Sequence, residues 1–264
     1  MVQAIRSSLY GKDNRELSVG FGLKQEKIVN KLDLNEVRDF YNTTPAIWAP
    51  ADHWHQWSYN QINKYLSKLN ISAQEHVLNA GSGGNSYNIN CNMTHVDIAA
   101  EKLKSIPDAV ISSIEDMPFT ASVFNRIICV GSVINYCDAS ATITEFSRVL
   151  KPNGMLILEF ENSGGYEYKG TPVYNKSAGI VTVKFQGQDH QQWLYSLPYI
   201  KSLLKANSFY IENIYAFQIF SSFALHLCGD DAKAAKYARL DWIARKVPQI
   251  AAHANNFIIR CKKL

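Results

Sequence analysis

Three short stretches of this chain carry residues suited to holding a ligand. The first is Gly81-Ser82-Gly83-Gly84, directly after the run His76-Val77-Leu78-Asn79-Ala80. Glycines there let the backbone approach a bound molecule, and the next helix N-terminus offers free N–H groups. A tight strand-to-helix turn would ask for the same glycines. The second is Asp97, 14 residues after Gly83, at the end of Met93-Thr94-His95-Val96. A carboxylate there can accept from both hydroxyls of a ribose, or it can cap a helix starting at Ala99. The third is Glu115-Asp116, ahead of Met117-Pro118-Phe119. An acid there can accept from an adenine amino group while an apolar neighbour packs on the ring; otherwise it is a solvated turn.

These stretches need a scaffold, and the hydrophobic pattern supplies one. Residues 76–80, 93–97, 109–112, 126–130 and 155–160 are short apolar strands. Residues 99–105 and 141–150 alternate with them and read as helices. Lys151-Pro152-Asn153-Gly154 reads as a turn. Apolar strands alternating with helices predict a parallel sheet covered on both faces. The three stretches then lie at the C-terminal ends of successive strands, where open α/β sheets place ligands. Before the first strand, Leu32, Leu34, Val37, Phe40 and Tyr41 recur at helical spacing up to Thr43-Thr44-Pro45. A second helix carries Trp57, Ile62, Tyr65, Leu66 and Leu69. After 160 the pattern predicts an irregular segment, or a hairpin over one sheet edge, at 161–190. A helix over 196–207, a strand over 210–217, one or two helices over 221–252 and a last strand over 256–261 follow.

With HVLNAGSGG, THVDIA, SSIEDMPF, NRIICVGSVINY and EFSRVLKPNGMLILEF in this order, the stretch from Glu75 to Phe160 resembles the class I S-adenosylmethionine (SAM)-dependent methyltransferases. The helix ending in Arg148-Val149-Leu150-Lys151-Pro152 before the fifth strand is the most telling piece. The resemblance implies a Rossmann-like α/β fold with a seven-stranded, mostly parallel sheet and an antiparallel last strand. It implies SAM as cofactor. By position, Gly81, Ser82 and Gly83 border its methionine part, Asp97 with Ile98 beside it holds the ribose, and Asp116, with Glu115 beside it, holds the adenine amino group. Val130, Gly131 and Ser132 lie beside the sulfonium. The family usually has an acid where Asn79 stands and a third glycine where Asn85 stands. Asn79 can hydrogen-bond the SAM amino group but cannot ion-pair with it.

SAM carries an activated methyl group, so an enzyme on this plan mainly aligns donor and acceptor. A base is needed only where the acceptor must lose a proton. In similar enzymes the segment before the first strand covers the cofactor. Tyr41, Trp48, His53 and His190 are candidates to bind the acceptor, and Tyr166 and Tyr168 could line a pocket. His55 is the candidate base. Each aromatic here could equally be packing the cap on the core.

The rest of the sequence narrows the classes. The 264 residues are 47% apolar and 19% charged, with net charge +4, which fits a globular enzyme and lacks the strong basic bias of a nucleic-acid binder. No Asn-Pro-Pro-Tyr-like or Pro-Cys motif follows the fourth strand, so a nucleic-acid substrate is not expected. Five scattered cysteines, Cys91, Cys129, Cys137, Cys228 and Cys261, predict neither a disulfide framework nor a metal site. No signal peptide or membrane span is expected, and the expected location is the cytoplasm. Two units are expected: a helical cap over 1–70 and a SAM-binding domain over 71–264, with insertions at about 161–190 and 218–253. The expected activity is methyl transfer to oxygen or nitrogen of a small molecule or peptide. The alternatives are a SAM-binding enzyme of other chemistry and a non-catalytic binding protein on the same fold. Oligomeric state is not legible.

Overall fold

A computed structural model describes residues 31–185 and 187–264. The first 30 residues, assigned above to the cap, lie outside the described residues. What remains of the cap is two helices, α1 (Leu34–Thr43) and α2 (His53–Leu66). Asp33 and Asp52 cap them, each accepting a backbone N–H of the first turn, which satisfies one of the N–H groups a helix start leaves over.

The sheet has seven strands: β1 (His76–Ala80), β2 (Asn92–Asp97), β3 (Val110–Ile111), β4 (Phe124–Cys129), β5 (Leu150–Glu161), β8 (Phe209–Phe217) and β9 (Asn256–Lys263). Their order is β3-β2-β1-β4-β5-β9-β8. The five N-terminal strands are parallel to one another, and β9 runs antiparallel to both its neighbours. The order reverses between β1 and β4, so a crevice opens at their carboxyl ends.

Alternation along the strands sends side chains to two faces. Leu78, Ile127, Cys129, Leu156 and Leu158 join one core with Ile143, Phe146, Ile200 and Leu204, from α4 (Ala139–Val149) and α5 (Leu197–Ala206). Val77, Ile128, Ile157 and Ile258 join the other with Ile62 and Leu66 of α2. Each such fully buried side chain contributes about 1.5–3 kcal/mol relative to exposure. The cap helix α2 is therefore part of the core as well as a cover.

Several elements differ from the sequence reading. The helix expected over 99–105 is one turn, α3 (Ala100–Leu103), because Pro107 disfavours helical backbone at Ile106. Lys151-Pro152-Asn153-Gly154 does not precede a strand; it bulges out of the longer β5. Leu150 pairs with Phe124 and Met155 with Arg126, and the residues between are accommodated with Asn153 at φ +62°. The segment after β5 is irregular only to about residue 177. An antiparallel hairpin of β6 (Ala178–Phe185) and β7 (Gln188–Tyr195) follows as a separate sheet. The helical stretch 220–251 is broken into α6 (Phe220–Cys228), α7 (Asp231–Ala235), α8 (Asp241–Ala244) and α9 (Pro248–Ala251), with a 3-10 segment at Lys236–Leu240. Gly229 ends α6 in the left-handed region at φ +66°, and Pro248 starts α9 without needing an N–H partner. Among the described residues all five cysteines are free, no His, Cys, Asp and Glu cluster could hold a metal, and no helix is long and apolar enough to cross a membrane.

Candidate active site

The glycine loop leaves β1 at the switch point. Gly81 and Ser82 donate their N–H groups to the Val96 carbonyl at 2.8 and 3.1 Å. Gly81 adopts φ +69°, and a Cβ built on it would lie 2.2 Å from Val133 Cγ1. Both facts restrict the position to glycine. Asp97 closes the loop from the end of β2: Oδ2 accepts from Gly83 N–H at 2.7 Å and Oδ1 from Ala99 N–H at 2.8 Å. It is a loop-organising carboxylate rather than the cap of α3, whose N-cap is Ala99. Burial pushes its pKa above the usual aspartate range, although these backbone N–H groups favour the ionised form.

A first cavity of roughly 740 Å³, partly open to solvent, lies over these groups. Its floor is Gly81, Ser82, Asp97, Ile98, Val130 and Gly131; Ser112, Ser113 and Ile114 form one wall; Val133, Tyr136 and Cys137 form another. The cap closes it with Leu34, Val37, Tyr41, Ile47 and Trp48. Its largely apolar lining with a few polar groups is that of a small-molecule site.

Several residues expected here stand elsewhere. Asn79 is buried and turns its amide onto the Asn85 carbonyl at 2.6 Å, so it braces the loop and does not line the cavity. Gly83 faces Ile47 of the cap. Glu115 accepts the Asp138 N–H at 2.8 Å, and Asp116 is exposed. The cause is the tight turn after β3. Ser112 Oγ donates to the Asp116 carbonyl at 3.0 Å, which presents Ser113 and Ile114 to the cavity and sends both acids outward. Ser132, in the left-handed region at φ +57°, lines a second cavity. His53 is the exposed first residue of α2 and lines neither.

The second cavity, roughly 770 Å³, adjoins the first and shares Tyr41, Ile47, Trp48, Gly131 and Tyr136 with it. The hairpin roofs it with Lys184, Phe185, His190 and Gln192. Glu159 is fully buried at the end of β5. It accepts the Gly131 and Ser132 N–H groups at 2.8 and 2.5 Å and Asn256 Nδ2 at 2.7 Å, which fixes the loop after β4. Burial raises its pKa against these hydrogen bonds. Glu161 accepts from Gln192 Nε2 at 2.7 Å. Tyr136 Oη bridges His190 Nε2 at 2.8 Å and Gln192 Oε1 at 3.2 Å. Burial, with a smaller push from the charge of His55, lowers His190 to about 4, so it is neutral at pH 7.

His55, on the first turn of α2, also lines this cavity. Its Nδ1 lies 2.6 Å from Asp52 Oδ2. Burial pushes Asp52 up, but the hydrogen bond and charge of His55 outweigh it and hold the carboxyl below the usual range. An ionised carboxylate only accepts, so Nδ1 carries a hydrogen, and in a neutral ring Nε2 would hold the lone pair. Such a hydrogen bond fixes the orientation of the ring, with Nε2 at its free end. The Asp-x-x-His spacing at a helix start was its signal in the sequence. Tyr136, Glu159, Glu161 and Gln192 escaped the sequence reading. Their only trace was a glutamate interrupting the apolar run 155–160.

Residues 73–158 match the model of a methyltransferase domain family. An uncharacterised protein of Methanocaldococcus jannaschii is 28% identical over 107 residues, a match covering 38% of this chain and 43% of that protein. The match thus spans less than half the length of this relative. Among solved structures, the PH0226 protein of Pyrococcus horikoshii superposes with a TM-score of 0.55 at 14% identity, covering 85% of this chain and 98% of that one. A candidate SAM-dependent methyltransferase of Listeria monocytogenes gives 0.54 at 14% identity over 82% and 100%, and a SAM-dependent methyltransferase of Leishmania major gives 0.52 at 12% over 87% and 82%. At these identities the structures share the fold. The first cavity fits the cofactor on its own terms. Gly81 lets the loop pack closely on Val133 in the cavity's lining, the Asp97 carboxylate keeps lone pairs for hydroxyls, and Ile98 and Ile114 offer apolar walls. Residues 73–158 thus match a methyltransferase domain family, which points to SAM as the cofactor, and the seven-stranded sheet that carries them has the fold of these structures.

Proposed function

We propose that this protein transfers a methyl group from SAM to nitrogen or oxygen of a small molecule. The observation that carries this is the pair of adjoining cavities. One is organised by Asp97 and the glycine loop; the other is lined by His55 and the carboxylates of Glu159, Glu161 and Glu167; they meet at Gly131, Tyr41 and Trp48. Asp97 would hold the ribose, Ser113 and Ile114 would border the adenine, and Val130 with Gly131 would lie nearest the reacting end. The cofactor supplies a methyl group already activated on sulfur. The chain's own work is to hold the acceptor against it, which can lower the barrier by up to about 7–11 kcal/mol through proximity alone. Where the acceptor must lose a proton, His55 Nε2 can take it, and Asp52 stabilises the imidazolium that forms.

The roofed second cavity supports a small acceptor over a nucleic acid. Calorimetry with SAM and S-adenosylhomocysteine (SAH) tests the reading, with Asp97→Ala as control. Micromolar binding that the variant loses supports it. Absence of binding to either compound would return the protein to the class of non-catalytic folds. Release of SAH during an acceptor screen separates methyl transfer from other SAM chemistry.

A further inference from the structure

Hydrogen-bonding capacity in the second cavity is one-sided. Gln192 Nε2 donates to Glu161 Oε2 at 2.7 Å, Asn256 Nδ2 to Glu159 Oε1 at 2.7 Å, Asn255 Nδ2 to Glu161 Oε1 at 3.4 Å, and Gln218 Nε2 to the Trp54 carbonyl at 3.4 Å. Carboxylate and carbonyl oxygens can only accept, which fixes these amide orientations. Each of these amides therefore gives at least one hydrogen to the protein. Two of the four amide oxygens, Gln218 Oε1 and Asn255 Oδ1, are buried without a hydrogen-bond partner, on side chains that are each 1% exposed. A buried acceptor left unmatched costs about 1–3 kcal/mol, and both residues line the cavity, so its wall favours a ligand that donates.

Charge points the same way. Glu159, Glu161 and Glu167 line this cavity, and the one lysine among its described lining residues, Lys184, is half-exposed and lies 3.9 Å from Asp189. Trp48, Trp54 and Phe185 add aromatic surface that attracts a cation. An ammonium group has three N–H donors, no acceptor and a positive charge. It complements every one of these features, whereas a phosphate or carboxylate would meet acceptors and like charge.

We propose that the second cavity receives a protonated amine, so that the methyl acceptor is the nitrogen of a small cationic molecule. This rests on the methyltransferase reading of the first cavity. An ammonium nitrogen has no lone pair, so it must first give one N–H proton to a base. His55 Nε2, in the same cavity, takes it; the amine becomes neutral and the imidazole cationic.

The test is ligand-observed NMR binding with three matched compounds: tyramine, its neutral analogue 4-(2-hydroxyethyl)phenol and the anion 4-hydroxyphenylacetate. Phenethylamine and agmatine, with neutral counterparts, serve as further sets. Cationic members are expected to bind at least tenfold more tightly than their neutral and anionic partners. Glu161→Gln and, separately, Glu167→Gln should cut that preference about tenfold while leaving SAH affinity within about twofold. No cationic preference in any set, or a preference for the anion, overturns the inference. SAH calorimetry on the same samples keeps the two readings apart. Preference without SAH binding removes the methyltransferase reading and leaves an amine site; SAH binding without preference removes the amine alone.

Discussion

A single methyl group at Gly81 tests how the first cavity is built. Gly81 sits at φ +69°, and an added Cβ would lie 2.2 Å from Val133 Cγ1, 2.7 Å from Cγ2 and 2.9 Å from Cβ. Carbon atoms in contact rest about 3.5–4.0 Å apart, so either the loop or Val133 must move by more than about 1 Å. The left-handed backbone adds about 1–2 kcal/mol for a non-glycine residue, and overpacking about 1–3 kcal/mol. Gly81→Ala is therefore expected to lose about 2–5 kcal/mol in urea unfolding. SAH affinity should fall at least tenfold, because both Gly81 and Val133 line the cavity. Val133→Ala removes the two nearest atoms and leaves only the contact to Cβ. In a double-mutant cycle the pair should thus couple favourably by about 1–3 kcal/mol, with the backbone cost remaining. If Gly81→Ala lies within about 0.5 kcal/mol of the parent, or if the two changes add, then the loop does not run against Val133 and the cavity's floor is wrongly drawn.

Asp97→Ala removes the acceptor of two backbone N–H groups and of the proposed ribose. At about 1.5 kcal/mol for each hydrogen bond to a charged group, SAH affinity should fall by about a hundredfold or more in calorimetry. Asp116→Ala should leave it within about twofold; the reverse pattern would restore the adenine role the sequence suggested. Because burial raises the Asp97 pKa, protons should compete with SAH from a higher pH than for an ordinary aspartate, so a titration from pH 7 downward should show early weakening. Asp52→Asn can keep the helix cap but withdraws the charge behind His55; once an acceptor is found, kcat should drop about 10²–10⁴-fold with SAH affinity unchanged, and an unchanged kcat would remove His55 as base. His190 gives a pH signature in stability. Folded, it stays neutral down to about pH 4, whereas in the unfolded chain it takes a proton near pH 6.5. Stability should therefore fall as pH drops through that window, by on the order of 3 kcal/mol at its foot. His190→Gln should flatten that slope in denaturant titrations, and an unaltered slope would place the titration elsewhere.

The fold was legible where burial speaks through periodicity. Ile127, Ile128 and Cys129 are apolar on both faces because helices cover both, and that continuous run is what marked β4 as a central strand. The lengths of α3 and of β5 were not legible. Pro107 and Pro152-Asn153-Gly154 say that regular structure is disturbed, yet the outcome depends on tertiary partners. Residue 124 already pairs with 150, and this pairing turns an expected stop into a bulge. The alanines between 221 and 252 suggested long helices. Gly229 and Pro248 cut them, and Asp241 is drawn into the interior to accept the Ile219 and Phe220 N–H groups.

The two cavities differ in legibility for a physical reason. The first is made by consecutive strand ends, so its groups recur along the chain at strand–helix intervals, and Gly81, Asp97 and Gly131 could be found by position. Even there Glu115 and Asp116 do not line the cavity, since the tight turn after β3, in which Ser112 Oγ donates to the Asp116 carbonyl, presents Ser113 and Ile114 instead. The second joins residue 55 of the cap, 159 and 161 of β5, 190 and 192 of the hairpin, and 218 and 255 at the ends of two distant segments. No interval links these positions, and each alone reads as an ordinary polar residue. What makes them a site is that Glu161 engages the amide hydrogens of Gln192 and Asn255 while the Trp54 carbonyl engages that of Gln218. The acceptor surplus that follows is a property of the pairing rather than of composition. The substrate preference of this protein is therefore expected to respond to changes in the hairpin and at residues 218 and 255 more than to changes in the glycine loop. Gln192→Leu, which removes one amide and leaves SAH contacts untouched, should weaken tyramine binding without altering SAH affinity; equal loss of both would mean that the cavities are one site.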